Sequence, residues 1–77
     1  MKLADFKIGD VLIVDDRFEL EVVNTWKPEI ASIGLDRLKP GKRGPYGAVL
    51  QRGVDEWAEI GMRVFRDGIQ LFPVVPA

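Results

Sequence analysis

The sequence predicts a mostly β protein: a single domain over residues 1–77, built as a small antiparallel β-barrel with at most one short helical turn. Three observations point there. Turn signals recur at short intervals with short apolar runs between them, which is the spacing of a β-rich domain. One of those runs alternates apolar and polar residues with a period of two, as a half-buried strand does. The chain has 77 residues and neither cysteine nor histidine, so no disulfide or thiolate metal site supplements its packing. A chain of this size buries only about 60% of the surface its unfolded form exposes. Closing a sheet on itself removes edges that so small a body has little else to cover with.

The elements follow in order. Gly9-Asp10 reads as a turn feeding a strand from Val11 to Asp15, apolar on both faces: Val11 and Ile13 on one, Leu12 and Val14 on the other. Asp15-Asp16-Arg17 is a polar turn. "FELEVVNTW" then alternates, with Phe18, Leu20 and Val22 on one face and Glu19, Glu21 and Val23 on the other. These two runs form a hairpin. Lys27-Pro28 ends the second, because proline has no N–H to give a ladder. "EIASIGLDRL" resumes with Ile33 and Leu35 on one face and Gly34 as the place for a bulge. A Gly/Pro-rich basic stretch follows as a connection, and "YGAVLQR" is a short fourth strand.

Two periods compete in "VDEWAEIGMRVF". Val54, Trp57, Ala58 and Gly61 fit a helical face, whereas Ala58, Ile60, Met62 and Val64 fit a strand face with Glu59 and Arg63 opposite. Asp67-Gly68 is a strong hairpin-turn signal. It favours a strand over 59–66 and leaves a brief helical turn near 54–57. "IQLFPV" returns as the last strand, and the prolines that follow suit an edge. The expected form is an SH3-like barrel, with an OB-like barrel or a β-roll as alternatives.

Composition is 47% hydrophobic and 30% charged, which fits a folded domain and not a disordered chain. The start of the chain has no apolar run of signal-peptide length, no stretch approaches a membrane span, and the lack of cysteine fits a reducing compartment. A cytoplasmic location is expected. Net charge is −1, so whole-molecule attraction to nucleic acid is not expected. The charge is nevertheless segregated: residues 37–53, "RLKPGKRGPYGAVLQRG", carry +5 with no carboxylate, and the other residues sum to −6.

Catalytic groups are scarce. Ser32 is the only serine and Thr25 the only threonine. Asp15-Asp16 and Asp55-Glu56 read as solvated surface, and nothing fixes an oxygen cage for magnesium around Asp10, Asp15 and Asp16. No enzymatic activity, cofactor or metal is expected. The candidate partner-binding residues are Arg37, Lys39, Lys42, Arg43, Tyr46 and Arg52 of the basic segment, together with Trp26 and Trp57. Arginine and lysine engage anions and glycines let a backbone approach them. Tryptophan and tyrosine are frequent interface anchors.

The last strand, "GIQLFPV", resembles the final strand of the plasmid-borne type II dihydrofolate reductases. Those are tetrameric SH3-like barrels in which a V-Q-I-Y stretch lines a shared central pore. The match falls on Ile69, Gln70, Leu71 and Phe72, and "IGD" at 8–10 is similar to that family's first strand. Phe72 stands where the family has tyrosine, the first strand lacks its phosphate-contacting basic residue, and the stretch between the matches is much longer here. The resemblance implies an SH3-like barrel and not a reductase.

Three functions follow as expectations. The first is a non-enzymatic binding module that contacts a protein partner, or copies of itself as a homo-oligomer, through exposed aromatics and the 37–53 segment. The second is a nucleic-acid accessory protein using the basic residues on phosphates. The third is a small-molecule site in a pore between subunits, with Gln70 as its polar handle.

Overall fold

The computed structural model describes residues 1–39 and 42–74, and of Lys39, Lys42 and Arg43 it describes the backbone alone. A single 3₁₀ turn, Leu3–Asp5, precedes strands β1 (Val11–Val14), β2 (Phe18–Asn24), β3 (Ser32–Lys39) and β4 (Lys42–Leu50). Helix α1 (Gln51–Ile60) follows, then β5 (Met62–Arg66) and β6 (Ile69–Phe72). The strands form one antiparallel sheet in the order β4-β3-β2-β1-β5-β6.

Both expected hairpins form. In the first, Arg17 N–H donates to Val14 C=O at 3.1 Å. The two residues between, Asp15 and Asp16, have φ of 55° and 52°, a region that short polar side chains tolerate. In the second, Asp67 and Gly68 (φ 53° and 78°) join Arg66 to its partner Ile69, the two-residue turn whose twist matches its strands. The irregularity expected at Gly34 lies across the ladder from it. Val22 pairs with Leu35 and Asn24 with Gly34, so Val23 is the extra residue, on β2.

Two expectations are corrected. The region 54–60 is not a brief helical turn leading into a strand; it belongs to a ten-residue helix. The helical period wins because Val54, Trp57 and Ala58 make one stripe, with Val54 fully buried and the other two packed against the core. Gly61 then stops the helix, with φ of 113° and its N–H on Trp57 C=O at 3.0 Å. Nor is the sheet closed. Strands β4 and β6 are its two edges, and no ladder joins them among the described residues. This topology supports neither a closed barrel nor its SH3-like or OB-like forms. What closure was expected to provide, α1 provides: it leaves one edge at β4, crosses the sheet and returns as β5 beside β1.

The core lies between that helix and one sheet face. Leu12, Val14, Leu20, Val22, Ile33, Leu35, Val49, Met62 and Val64 project from the strands, Val54 from α1, and Leu3 and Phe6 from the N-terminal segment. Gln51 fastens that segment to the helix. Its Oε1 accepts from Leu3 N–H and its Nε2 donates to Met1 C=O, each at 2.9 Å. The opposite face is covered by no described element. On it Val11, Ile13 and Phe65 are half-buried between charged neighbours such as Glu19 and Arg63, the latter paired with Asp16.

The end of α1 invites a direct test. A Cβ at Gly61 meets nothing within 4 Å, so Gly61→Ala loads the backbone alone. It is expected to cost about 1–2 kcal/mol, read as a lower urea midpoint at unchanged m-value. An unchanged midpoint would show that the helix end escapes the left-handed region.

Candidate functional site

The basic segment is mostly not a protruding loop. Arg37 lies in β3, Lys42 and Arg43 in β4, and Arg52 in α1. Residues 32–39 and 42–50 form a paired ribbon in which Leu38 faces Arg43 and Lys39 faces Lys42. The side chains of Lys39, Lys42 and Arg43 lie outside the described residues. Four of the expected partner-binding residues, Arg37, Tyr46, Arg52 and Trp57, are brought to one side of the molecule. Trp26 is not among them. It lines a separate groove of about 290 Å³ with Lys2, Leu3, Ala4, Ala31 and Gln51.

A bulge in β4 sets the position of Tyr46. Leu35 pairs with Gly47 and Asp36 with Pro45, which leaves Tyr46 as the extra residue. Counting back in twos from Leu50 and Ala48, Tyr46 belongs on the face away from α1. The bulge re-aims it, and its ring instead meets Trp57, with centroids 5.9 Å apart and planes at 58°. Such a tilted pair adds about 0.5–1.5 kcal/mol beyond the area it buries. The Arg37 guanidinium lies 5.5 Å from the Tyr46 ring centroid, so the ring is held between a cation and a second aromatic. Trp57 is held in turn by the helix, whose end is tied to the first hairpin. Asp15 N–H donates to Gly61 C=O at 2.9 Å, and this brings the last turn of α1 against Phe18.

The result is two recesses that share the Tyr46 and Trp57 rings. One is an apolar cleft of about 90 Å³ lined by Val14, Phe18, Leu20, Tyr46, Trp57 and Ile60. Its floor, Val14 and Leu20, is buried, whereas its rim is open: Phe18 is 51% exposed, Ile60 59% and Tyr46 41%. The other is an open groove of about 430 Å³ between β4 and α1, where Arg52, Gly53 and Glu56 form the helix wall. Arg17 stands 6.0 Å from the Phe18 ring. Arg52 has no hydrogen-bond or ion-pair partner among the described residues.

Sequence reading missed Phe18, Ile60 and Glu56. Alternation puts Phe18 on the core face, and the parity holds, but Phe18 sits at the strand's end, where the core stops. The adjacent Asp-Asp-Arg turn was the available signal. Ile60 fits the strand period; in the helix 51–60 it falls off the buried stripe and is an exposed aliphatic.

The other candidate chemistries find their groups already occupied. Asp10 receives Arg66, and Asp16 receives Arg63. Among the described residues no group of three or more potential ligands is gathered for a metal. Gln70, paired with Phe65 on β6, donates its amide to Pro73 C=O at 3.0 Å. No described helix is long and apolar enough to cross a membrane. No protein-family model matches the chain, and no curated protein or solved structure matches it.

Proposed function

We propose that the protein is a non-enzymatic interaction module that takes an apolar side chain of a partner protein into the Phe18–Tyr46–Trp57–Ile60 cleft. One observation carries this reading. Large apolar side chains from β2, β4 and α1 stand half-exposed around a buried floor, with an arginine on two of the rings. Scattered exposed apolar residues are ordinary, but a contiguous group around a concave site is what interfaces present. Anchors in such clefts carry most of the affinity of small interfaces. The arginines add orientation and speed of encounter.

The test uses surface variants that leave the core alone. Ile60→Glu and Phe18→Glu put a carboxylate on the rim, whereas Trp26→Ala changes the distant groove. Each is immobilised as bait, and the host proteins it captures are quantified against the wild-type chain. Proteins that bind through the cleft fall at least about tenfold on both rim variants, the effect of losing an anchor worth roughly 1.4 kcal/mol or more, and stay level on Trp26→Ala. Equal capture on all four baits would refute the cleft as the binding site. If the captured protein is the chain itself, light scattering shows a concentration-dependent mass that Ile60→Glu abolishes.

A further inference from the structure

We propose that the partner segment which fills this cleft is an extended acidic strand, and that it adds to the free edge of β4 as a seventh strand of the sheet. The proposal rests on the interaction reading above and specifies its chemistry.

The groove beside β4 is an edge, and its lining shows it. Val49 points to the core side of the sheet and pairs across from Ile33, while Ala48 and Leu50 point the other way, across from Gly34 and Ser32. All three line the same recess. Residues from both faces of a strand meet in one groove only along its unpaired side. Among the described residues nothing pairs there, and α1 stands off as a second wall. The usable edge is Tyr46–Leu50, about 17 Å of strand, the length of an ordinary ladder. Pro45 limits it, since proline brings no N–H. The stretch beyond the bulge is small-sided at Gly47 and Ala48, which leaves the backbone open to an approaching chain. Main-chain bonds to such an edge supply affinity, and alternate side chains supply specificity. Every second side chain of the added strand faces α1, and Tyr46 and Trp57 line both the edge groove and the apolar cleft. One such side chain therefore reaches the cleft, whose volume of about 90 Å³ suits an aliphatic group.

Charge selects the rest of the segment. Arg52 stands on the helix wall with no ion-pair partner among the described residues, Arg37 lies over Tyr46, and positions 42 and 43 of the same strand as Tyr46 are lysine and arginine. Among the described residues Glu56 is the one carboxylate lining the edge groove, and Glu19 shares a small recess with Arg37 and Tyr46. An acidic flank meets complementary charge along this line, and a basic one meets repulsion. Nucleic acid is the weaker fit. The floor of the apolar cleft, Val14 and Leu20, offers nothing to a phosphate or a base edge, and the Tyr46 ring on which a base would stack already has Arg37 and Trp57 against it.

The experiment selects from a phage-displayed library of random linear decapeptides on the wild-type protein, with counter-selection on Ile60→Glu. The expected winners carry net negative charge and an aliphatic residue near their centre. In complex with the synthetic winner, amide exchange at residues 46–50 slows at least about tenfold, N-methylation of alternate peptide residues weakens binding by a similar factor, and so does Arg52→Glu. Winners of neutral or basic charge overturn the acidic assignment. Acidic winners that bind without slowing exchange at 46–50 overturn strand addition and leave the cleft reading intact. If no peptide is selected while host proteins still distinguish wild type from Ile60→Glu, the extended segment is wrong and the cleft reading survives. If host proteins do not distinguish them either, both fall. A single-stranded DNA dodecamer that displaces the selected peptide at equal or lower concentration assigns the edge to phosphate.

Discussion

Leu12→Ala is expected to remove about 3–4 kcal/mol of folding stability. Leu12 is 0% exposed at the centre of β1, between Leu20 on β2 and Val64 on β5. All three belong to a core of twelve buried apolar side chains among the described residues. Such a core cannot redistribute a lost isobutyl group. Backbone hydrogen bonds fix β1 on both sides, so the strand cannot settle inward and the cavity stays. A domain of this length has a total stability of roughly 4–12 kcal/mol, so the variant loses a large share of it, with a melting temperature lower by roughly 12–30 °C. Ile13→Ala is the control. Ile13 is the next residue, pairs with the same two strands (at Glu19 and Arg63) and lies on the uncovered face, and its truncation costs less than half as much. Urea unfolding of the two variants decides the point. Equal losses would show that the second face is also covered, as it would be by another copy of the chain.

Asp10→Ala is expected to cost about 2–3 kcal/mol near pH 7. Asp10 is 1% exposed, and its carboxylate is fully engaged. Arg66 Nε and Nη2 donate to its two oxygens at 2.8 Å each, and Lys7 N–H donates to Oδ2 at 2.8 Å. The Arg66 side chain is itself 31% exposed, so water screens the pair and the loss stays below that of a wholly buried one. Burial raises the Asp10 carboxyl, but the hydrogen bonds from Arg66 and from the Lys7 backbone, with the charges of both residues, outweigh it and hold the group below its ordinary value of 3.8. The sign follows. As pH falls, the unfolded chain takes up this proton before the folded one does, so the contribution is complete above about pH 4 and disappears as pH drops through the folded pKa. Wild type and Asp10→Ala therefore differ most near neutrality and converge in acid. A stability gap that stayed constant from pH 6 down to pH 2 would refute the charged pair as its source.

The two hairpins were legible because their signals are local. A charged turn between an apolar run and an alternating one and an Asp-Gly between two apolar runs each act within a few residues. The helix was half-legible. Its stripe of Val54, Trp57 and Ala58 was visible, but Ile60, Met62 and Val64 kept a competing period of two alive. The arbiter, Gly61 in left-handed conformation, reads equally well as a residue inside a strand. Openness of the sheet was hidden for the same reason: until ten residues are given to a helix, only closure can cover the core. Arg66 lies 56 residues from Asp10, and no spacing rule links them, so a structural carboxylate read as a turn residue. Of the candidate site, Tyr46 and Trp57 were marked by residue type and Arg37 and Arg52 by charge. The bulge that gathers them depends on the register of β4 against β3, which Pro45 and Gly47 hint at and do not specify.

The order of the sheet has one further consequence. Every ladder but one joins strands that follow each other in the chain; the seam between β1 and β5 joins strands with three others and the helix between them. The first four strands can zip as a meander with short closures, whereas this seam must wait for a much longer one. It is therefore the joint expected to form last. A hairpin from a second copy that paired with β1 in the same register would replace β5–β6, so this seam is where an exchange between copies would have to occur.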